Sequence, residues 1–248
     1  MSRTKRRAIV TGGGRGIGRA AAAALSDAGH EVTVLGRTKA ILQEAVETGA
    51  AKAYRQVDVS DGPALAACLE SIGPVDILVN NAGIADSAPF AKSDLQFFRR
   101  LMAVNFESVV VAARAVLPGM IDRGFGRIVS VASLAGLKGF PYVSAYVASK
   151  HAVVGLTRAL AQEVAKTGVT VNAVCPGYVD TDLVSQGAAR IAAKTGRAAD
   201  DVTREFLKGN PQGRLIATAE VADAILWLSG DLAAAVNGQA IAIDGSET

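Results

Sequence analysis

Aliphatic residues in this chain gather into short, nearly unbroken runs, and alanine-rich segments with helical periodicity separate them. The runs RAIVT (7–11), EVTVL (31–35), KAYRQV (52–57), VDILVN (75–80), GRIVSVA (126–132), VTVNAVC (169–175) and GQAIAI (238–243) read as strands. A strand with one wet face would alternate apolar and polar residues. Continuous apolar runs instead mark parallel strands covered on both faces. Helical patterns occupy 16–29, 38–48, 61–72, 101–123, 146–167 and 218–229. Strand and helix in alternation predict an α/β fold, a doubly wound parallel sheet of seven strands with helices on both faces. No linker or fixed-period repeat divides the chain, so 1–248 reads as a single domain.

One segment departs from this rhythm. Residues 180–214 form a long helical excursion between two strands, and long excursions of this kind are often lids. It leaves the carboxyl end of a strand, where open α/β sheets bind their ligands, which favours a lid over a surface decoration.

Half of the 248 residues are hydrophobic and 20% are charged, enough apolar surface for a large core. The net charge of +3 owes four charges to Arg3, Lys5, Arg6 and Arg7, which leaves 3 − 4 = −1 on the rest. That balance argues against nucleic-acid binding, and the basic cluster reads as a solvated flank. No apolar stretch approaches the length of a membrane span, and the basic start runs into a strand rather than a signal peptide. Cys68, Cys175, His30 and His151 offer no zinc-like spacing, so no metal site is expected. A soluble protein of a reducing compartment, the cytoplasm, follows as the expectation.

The first candidate chemistry lies in TGGGRGIG (11–18), between the first strand and the first helix. Gly12, Gly16 and Gly18 permit a tight turn and close approach of a pyrophosphate, and the helix N-terminus adds free N–H groups. About twenty residues on, where an NAD site offers a carboxylate, the chain has Gly36 and Arg37. Arg37 and Arg15 fit a 2′-phosphate, so NADP(H) is favoured over NAD(H); the alternative is that both face solvent. The second candidate is YVASK (146–150). Tyr146 and Lys150 fall on one helical face, as a proton-transferring pair or as a plain surface contact.

Together these motifs resemble the short-chain dehydrogenase/reductase family from end to end. Thr11, Gly12, Gly16 and Gly18, with Arg15 and Ile17 between them, match its cofactor loop. Asp58 and Val59 match the adenine-binding positions, and NNAG, with Asn81, Ala82 and Gly83, matches the motif closing the fourth strand on the cofactor. Asn105, Ser133, Tyr146 and Lys150 match the catalytic tetrad. Pro176, Gly177, Val179 and Thr181 match the stretch that contacts the nicotinamide. The resemblance implies a Rossmann-type fold, hydride transfer between nicotinamide and a carbonyl or secondary alcohol, and assembly as a homotetramer or homodimer. Two positions depart from the pattern: Gly14 stands where relatives often have Ser, and DGS (244–246) where many have two glycines.

In the mechanism this implies, Lys150 and the oxidised nicotinamide lower the pKa of Tyr146, which exchanges a proton with the substrate oxygen. Ser133 hydrogen-bonds that oxygen. Asn105 holds a water linking Lys150 to solvent, and Lys150 also holds the nicotinamide ribose. His151 and Cys175 read as structural, the latter as a small buried hydrophobe. The region around 151–183 resembles reductases of 3-oxoacyl thioesters, ketoreductases of aromatic polyketide pathways and 3-hydroxybutyrate dehydrogenases. In the excursion, Leu183, Val184, Ile191, Phe206 and Leu207 mix with Arg190, Lys194, Arg197, Arg204 and Lys208. Asp200, Asp201 and Glu205 nearly balance those charges, which suits a solvated amphipathic helix. The leading expectation is an NADPH-dependent ketoreductase of a CoA- or carrier-linked 3-oxoacyl group. A dehydrogenase of a small secondary alcohol or hydroxy acid, and a non-catalytic NADP-binding sensor, are the alternatives.

Overall fold

A computed structural model describes residues 5–248; Arg3 and the side chain of Lys194 lie outside the described residues. Seven strands, β1 (Arg7–Thr11), β2 (Glu31–Gly36), β3 (Ala53–Gln56), β4 (Ile77–Asn80), β5 (Gly126–Val131), β6 (Val169–Pro176) and β7 (Ala240–Ile243), fall on the seven predicted runs. They form one parallel sheet in the order β3-β2-β1-β4-β5-β6-β7. Consecutive residues enter opposite layers: Ile9 joins Leu65, Met120 and Ile128 on one side, and Val10 joins Leu25, Val34 and Ile225 on the other. Period-two side chains with both faces covered are why each run is apolar without interruption.

The helices are α1 (Gly16–Asp27), α2 (Lys39–Glu47), α3 (Gly62–Ile72), α4 (Leu95–Met102), α5 (Ser108–Asp122), α6 (Ser144–Glu163), α7 (Asp182–Thr195), α8 (Ala199–Leu207) and α9 (Thr218–Leu228). Buried residues of α1, α2 and α9 cover one face, and those of α3, α5 and α6 the other. Strand order reverses between β1 and β4, so their carboxyl ends part and leave a crevice there.

Three expectations need correction. The helix expected from 101 begins at Leu95, because the Asp94 carboxylate accepts the Phe97 N–H at 2.8 Å and caps it. It then runs through a wide π turn at Ala103–Glu107 into α5. Taken whole, Leu95–Asp122 is long and apolar enough to match a membrane span, which the sequence reading missed by starting late. Its apolar residues Val109, Ala112, Ala113, Val116 and Met120 are buried in the core. Nor is the basic flank simply solvated. Lys5 pairs with Glu31 at 2.8 Å, while Arg6 pairs with Asp231 and lies 3.4 Å over the Phe125 ring. Lys5 and Lys52 together hold the Glu31 carboxyl down at about 2.

The excursion folds as α7 and α8, joined through Gly196 in the left-handed region (φ 71°). Its two ends are tied where Asp180 N–H donates to the Ile216 carbonyl (2.9 Å) and Ile216 N–H to that of Tyr178 (2.9 Å). The charges on it pair internally, Arg197 with Glu205 and Arg204 with Asp201, in keeping with a solvated amphipathic surface.

Candidate active site

The turn from β1 into α1 is built by glycines with separate duties. Gly12 and Gly16 have φ of 65° and 53°, a region that side-chain-bearing residues avoid. A Cβ on Gly12 would also fall 2.9 Å from the Ala82 backbone. Gly18 packs on Asn81 and the Gly12 carbonyl, so it seats α1 on the sheet. Gly14 lies against Ile41, 2.7 Å from where a Cβ would stand, which leaves no room for the serine of related loops.

Side chains lock this loop to the end of β4. The Thr11 hydroxyl accepts the N–H groups of Asn81 and Ala82, each at 3.0 Å. Asn81 returns its amide N–H groups to the carbonyls of Thr11 (3.0 Å) and Gly12 (3.1 Å). Asn81 therefore borders the crevice, but its amide donors are committed to holding the loop.

At the front of the loop, α1 opens with no side-chain cap and no acidic residue in its first turn. Its first N–H groups and helix dipole face the crevice as an anion seat. Arg15 and Arg37 stand exposed at this end without a salt bridge among the described residues. Ser60 bonds to Asp58 hold its carboxyl below the usual range, and the Arg37 charge adds to this.

The reactive end lies where β5 and α6 meet. Ser133 follows β5, and its hydroxyl accepts the Ala135 N–H at 3.1 Å while its own proton points to Tyr146. Its backbone N–H bonds to the Cys175 sulfur, whose thiol burial pushes up to about 11. Cys175 is fully buried, a packing residue as expected. His151, also expected to be structural, bonds the Val147 carbonyl at 3.0 Å from the exposed side of α6.

Tyr146 and Lys150 share the inner side of α6, with Lys150 Nζ 5.7 Å from the Tyr146 ring centroid. Nζ donates to the Val131 carbonyl at 2.8 Å, and burial lowers its pKa to about 8. Burial raises the Tyr146 pKa, and the hydrogen bond with Ser133 only partly opposes it. The lysine charge is itself desolvated and engaged on a carbonyl, so it does little for the phenolate. Tyr146 accordingly stands protonated at neutral pH, the form that can give a proton to a carbonyl.

Asn105 sits in the π turn, buried. Its amide donates to the Ile84 carbonyl (3.0 Å) and the Ser149 hydroxyl (3.0 Å), while its oxygen accepts the Ile84 N–H (2.8 Å). Both side-chain donors are spent on fixing the segment after β4 against α6. A water held by Asn105 therefore has no side-chain N–H to bind.

A single cleft of about 1310 Å³ runs from Arg37 past Tyr146 to beneath α7 and α8. Of the cofactor and catalytic residues singled out from sequence, all but Thr11, Gly18 and Asn105 border it, including Ile17, Val59, Gly83, Pro176, Gly177, Val179 and Thr181. It exceeds the roughly 300–1,000 Å³ of a site for one small ligand, so it has room for a dinucleotide and a second molecule. Three bordering residues had escaped notice. Tyr178 stacks on Phe206 of α8 with ring centroids 4.5 Å apart, Tyr142 carries an unusual φ of 66°, and Glu247 reaches in from the chain end. Only Tyr178 had a signal, an aromatic residue inside the PG-x-V-x-T stretch.

Residues 6–191 match the family described as short chain dehydrogenase. The chain belongs to that family. Among curated proteins it is 37% identical to D-beta-hydroxybutyrate dehydrogenase of Rhizobium meliloti (strain 1021), over 97% of this chain and 98% of that one. It is 36% identical to acetoacetyl-CoA reductase of the same organism, over 97% of both. A solved actinorhodin polyketide ketoreductase with NADPH superposes with a TM-score of 0.93 at 34% identity, covering 98% of this chain and 97% of that one. As a short-chain dehydrogenase, the chain is an oxidoreductase working with a nicotinamide cofactor on small molecules. The fit is physical as well: two left-handed glycines, an uncapped helix N-terminus and two exposed guanidinium groups, Arg15 and Arg37, form a cradle for a dinucleotide.

Proposed function

We propose that this enzyme reduces 3-oxoacyl groups carried as thioesters, and that it takes NADPH in preference to NADH. What carries the reading is the extension of the cleft beyond Tyr146 beneath α7 and α8, where Leu183, Val184, Ile191 and Phe206 line it. An acyl arm laid along those residues fixes the carbonyl at Ser133 and Tyr146, remote binding energy being spent on orientation. Residues 180–214 act as the lid of a single catalytic unit.

Gly12, Gly16 and the start of α1 hold the pyrophosphate, Asp58 and Val59 the adenine side, and Pro176, Gly177, Val179 and Thr181 the nicotinamide end. Arg15 and Arg37 grip the 2′-phosphate. NADPH supplies the hydride. Ser133 donates to the carbonyl oxygen as negative charge develops there, and Tyr146 gives it a proton. Lys150 restores that proton and binds the nicotinamide ribose; Asn105 acts by positioning Ile84 and α6. In the cytoplasm the chain works as a homodimer or homotetramer, exposed Trp227 and Leu232 being candidates for the subunit contact.

Steady-state reduction of acetoacetyl-CoA, compared with a small cyclic ketone in the presence of NADPH, tests the reading. The thioester should show kcat/KM higher by about tenfold or more. Equal or better turnover of the small ketone sinks the thioester assignment and leaves the small-alcohol dehydrogenase in its place.

A further inference from the structure

The last five residues form a built hook, not a loose end. One Asp244 oxygen accepts the Ser246 N–H at 3.0 Å, and the other accepts the Thr248 N–H (2.9 Å) and hydroxyl (2.6 Å). Gly245 and Ser246 both take left-handed backbone, with φ of 66° and 74°. For Ser246 that conformation costs roughly 1–3 kcal/mol, and here the chain departs from the two glycines of its relatives. Gly245 packs directly on Asn210 at the foot of the lid. The hook aims Glu247 inward.

The Glu247 side chain is only 6% exposed, and it borders the same cleft as Tyr146. Its Oε1 lies 3.4 Å from Lys138 Nζ, which also donates to the Glu247 carbonyl at 2.6 Å. Oε2 is buried and has no hydrogen-bond partner. Gly177 and Gly209 crowd around the carboxylate, and its charge helps to raise the pKa of Tyr178, after burial. An unpaired buried acceptor costs about 1–3 kcal/mol, more when charged, so a fold keeps one only where something else repays it. The lid shuts this oxygen off from bulk water. Its partner has to arrive within the cleft.

We propose that Glu247 is a specificity residue: its free oxygen accepts a hydrogen bond from a hydroxyl on the substrate's short arm, favouring hydroxylated ketones over plain ketones and free keto acids. The inference rests on the ketone-reductase reading above but not on the thioester arm. A carboxylate on the substrate would meet the Oε2 lone pairs in a poorly solvated pocket, where like charges repel strongly. The chain should therefore be a poor 3-hydroxybutyrate dehydrogenase despite its likeness to one.

Calorimetric titration into enzyme saturated with NADP⁺, where no hydride can move, tests this without turnover. The probes are 1-hydroxybutan-2-one, butan-2-one and acetoacetate. The hydroxyketone should bind about tenfold tighter than butan-2-one, as a charge-assisted hydrogen bond allows, and acetoacetate weaker than either. In Glu247→Met the two neutral ketones should bind alike and acetoacetate should gain, with NADP⁺ affinity unchanged. Ser246→Gly, which relaxes the hook and leaves the carboxylate, should keep the preference. Should the Met variant unfold, isosteric Glu247→Gln should still cut the preference severalfold. Equal binding of the two ketones by the parent enzyme, undetectable binding of both included, overturns the proposal, as does a preference that survives the loss of the carboxylate. Acetoacetyl-CoA turnover judges the thioester reading separately.

Discussion

Replacing Lys150 with Met should make the cofactor-free enzyme more stable while destroying its activity. Lys150 is 4% exposed, and its pKa falls from 10.5 to about 8 because burial penalises the ammonium. At roughly 1.4 kcal/mol for each pH unit, that fall corresponds to on the order of 3 kcal/mol of strain at neutral pH. Met fills similar volume without charge, but it gives up the bond to the Val131 carbonyl, a loss of about 1 kcal/mol. The net gain is about 2 kcal/mol, or roughly 4–8 °C in Tm for a chain of this size.

The pH dependence separates this from a generic packing gain. Below pH 8 the lysine is charged whether the chain is folded or not, and the whole cost is present. Between about 8 and 10.5 the unfolded chain keeps a proton that the folded one has released, so parent stability rises with pH. Above that window both states are neutral and the cost is gone. Thermal melts of parent and Lys150→Met at pH 7 and pH 10 should show the advantage of Met shrinking toward zero. Finding no advantage at pH 7, or one that does not change with pH, refutes the reasoning.

Two further outcomes follow from the site. Tyr146→Phe should lower kcat by about 10² to 10⁴ while NADPH titration stays near the parent value; since burial raises the phenol above its ordinary 10, reduction by the parent should not fall through neutral pH, and a Phe variant with near-normal turnover sinks the proton-donor role. Arg37→Asp should narrow or reverse a preference for NADPH by about tenfold or more, read by titrating each nucleotide, and tighter NADH binding by the parent refutes the two-arginine argument.

The fold was legible because its signals are local. Ile9 and Val10 face different layers, so a period-two strand covered on both sides leaves a continuous apolar run that needs no knowledge of its neighbours. Where the signal was shorter, the reading slipped: the start at Leu95 depends on one Asp94 cap, and the amphipathic stretch LQFFRRLM behind it spans only eight residues. The π turn that carries Asn105 has no local signature at all. It arises because a helix running past α6 and the segment after β4 must widen to bring one amide to both Ile84 and Ser149.

Motifs picked out most of the residues that border the cleft, whereas the way side chains act on each other is visible only in the fold. Spacing put Tyr146 and Lys150 on one face, but only the fold reveals that burial raises the phenol's pKa and lowers the ammonium's. Likewise the bonds of Asn81 to the glycine loop, and the packing of Gly18 on Asn81, are contacts that the motif does not spell out. Glu247 is the extreme case. Its partner Lys138 is 109 residues away and its aim depends on two left-handed residues at the chain end, so no window of sequence contains the reason for it. Costly groups of this kind collect where a ligand completes the structure: a lysine short of solvation, a carboxylate oxygen short of a donor, a serine in strained backbone. Each costs stability in the free enzyme, and substrate or cofactor can recover part of that cost only by binding at that position. That is how a fold shared by relatives of many activities can acquire a preference of its own from one buried carboxylate oxygen, that of Glu247.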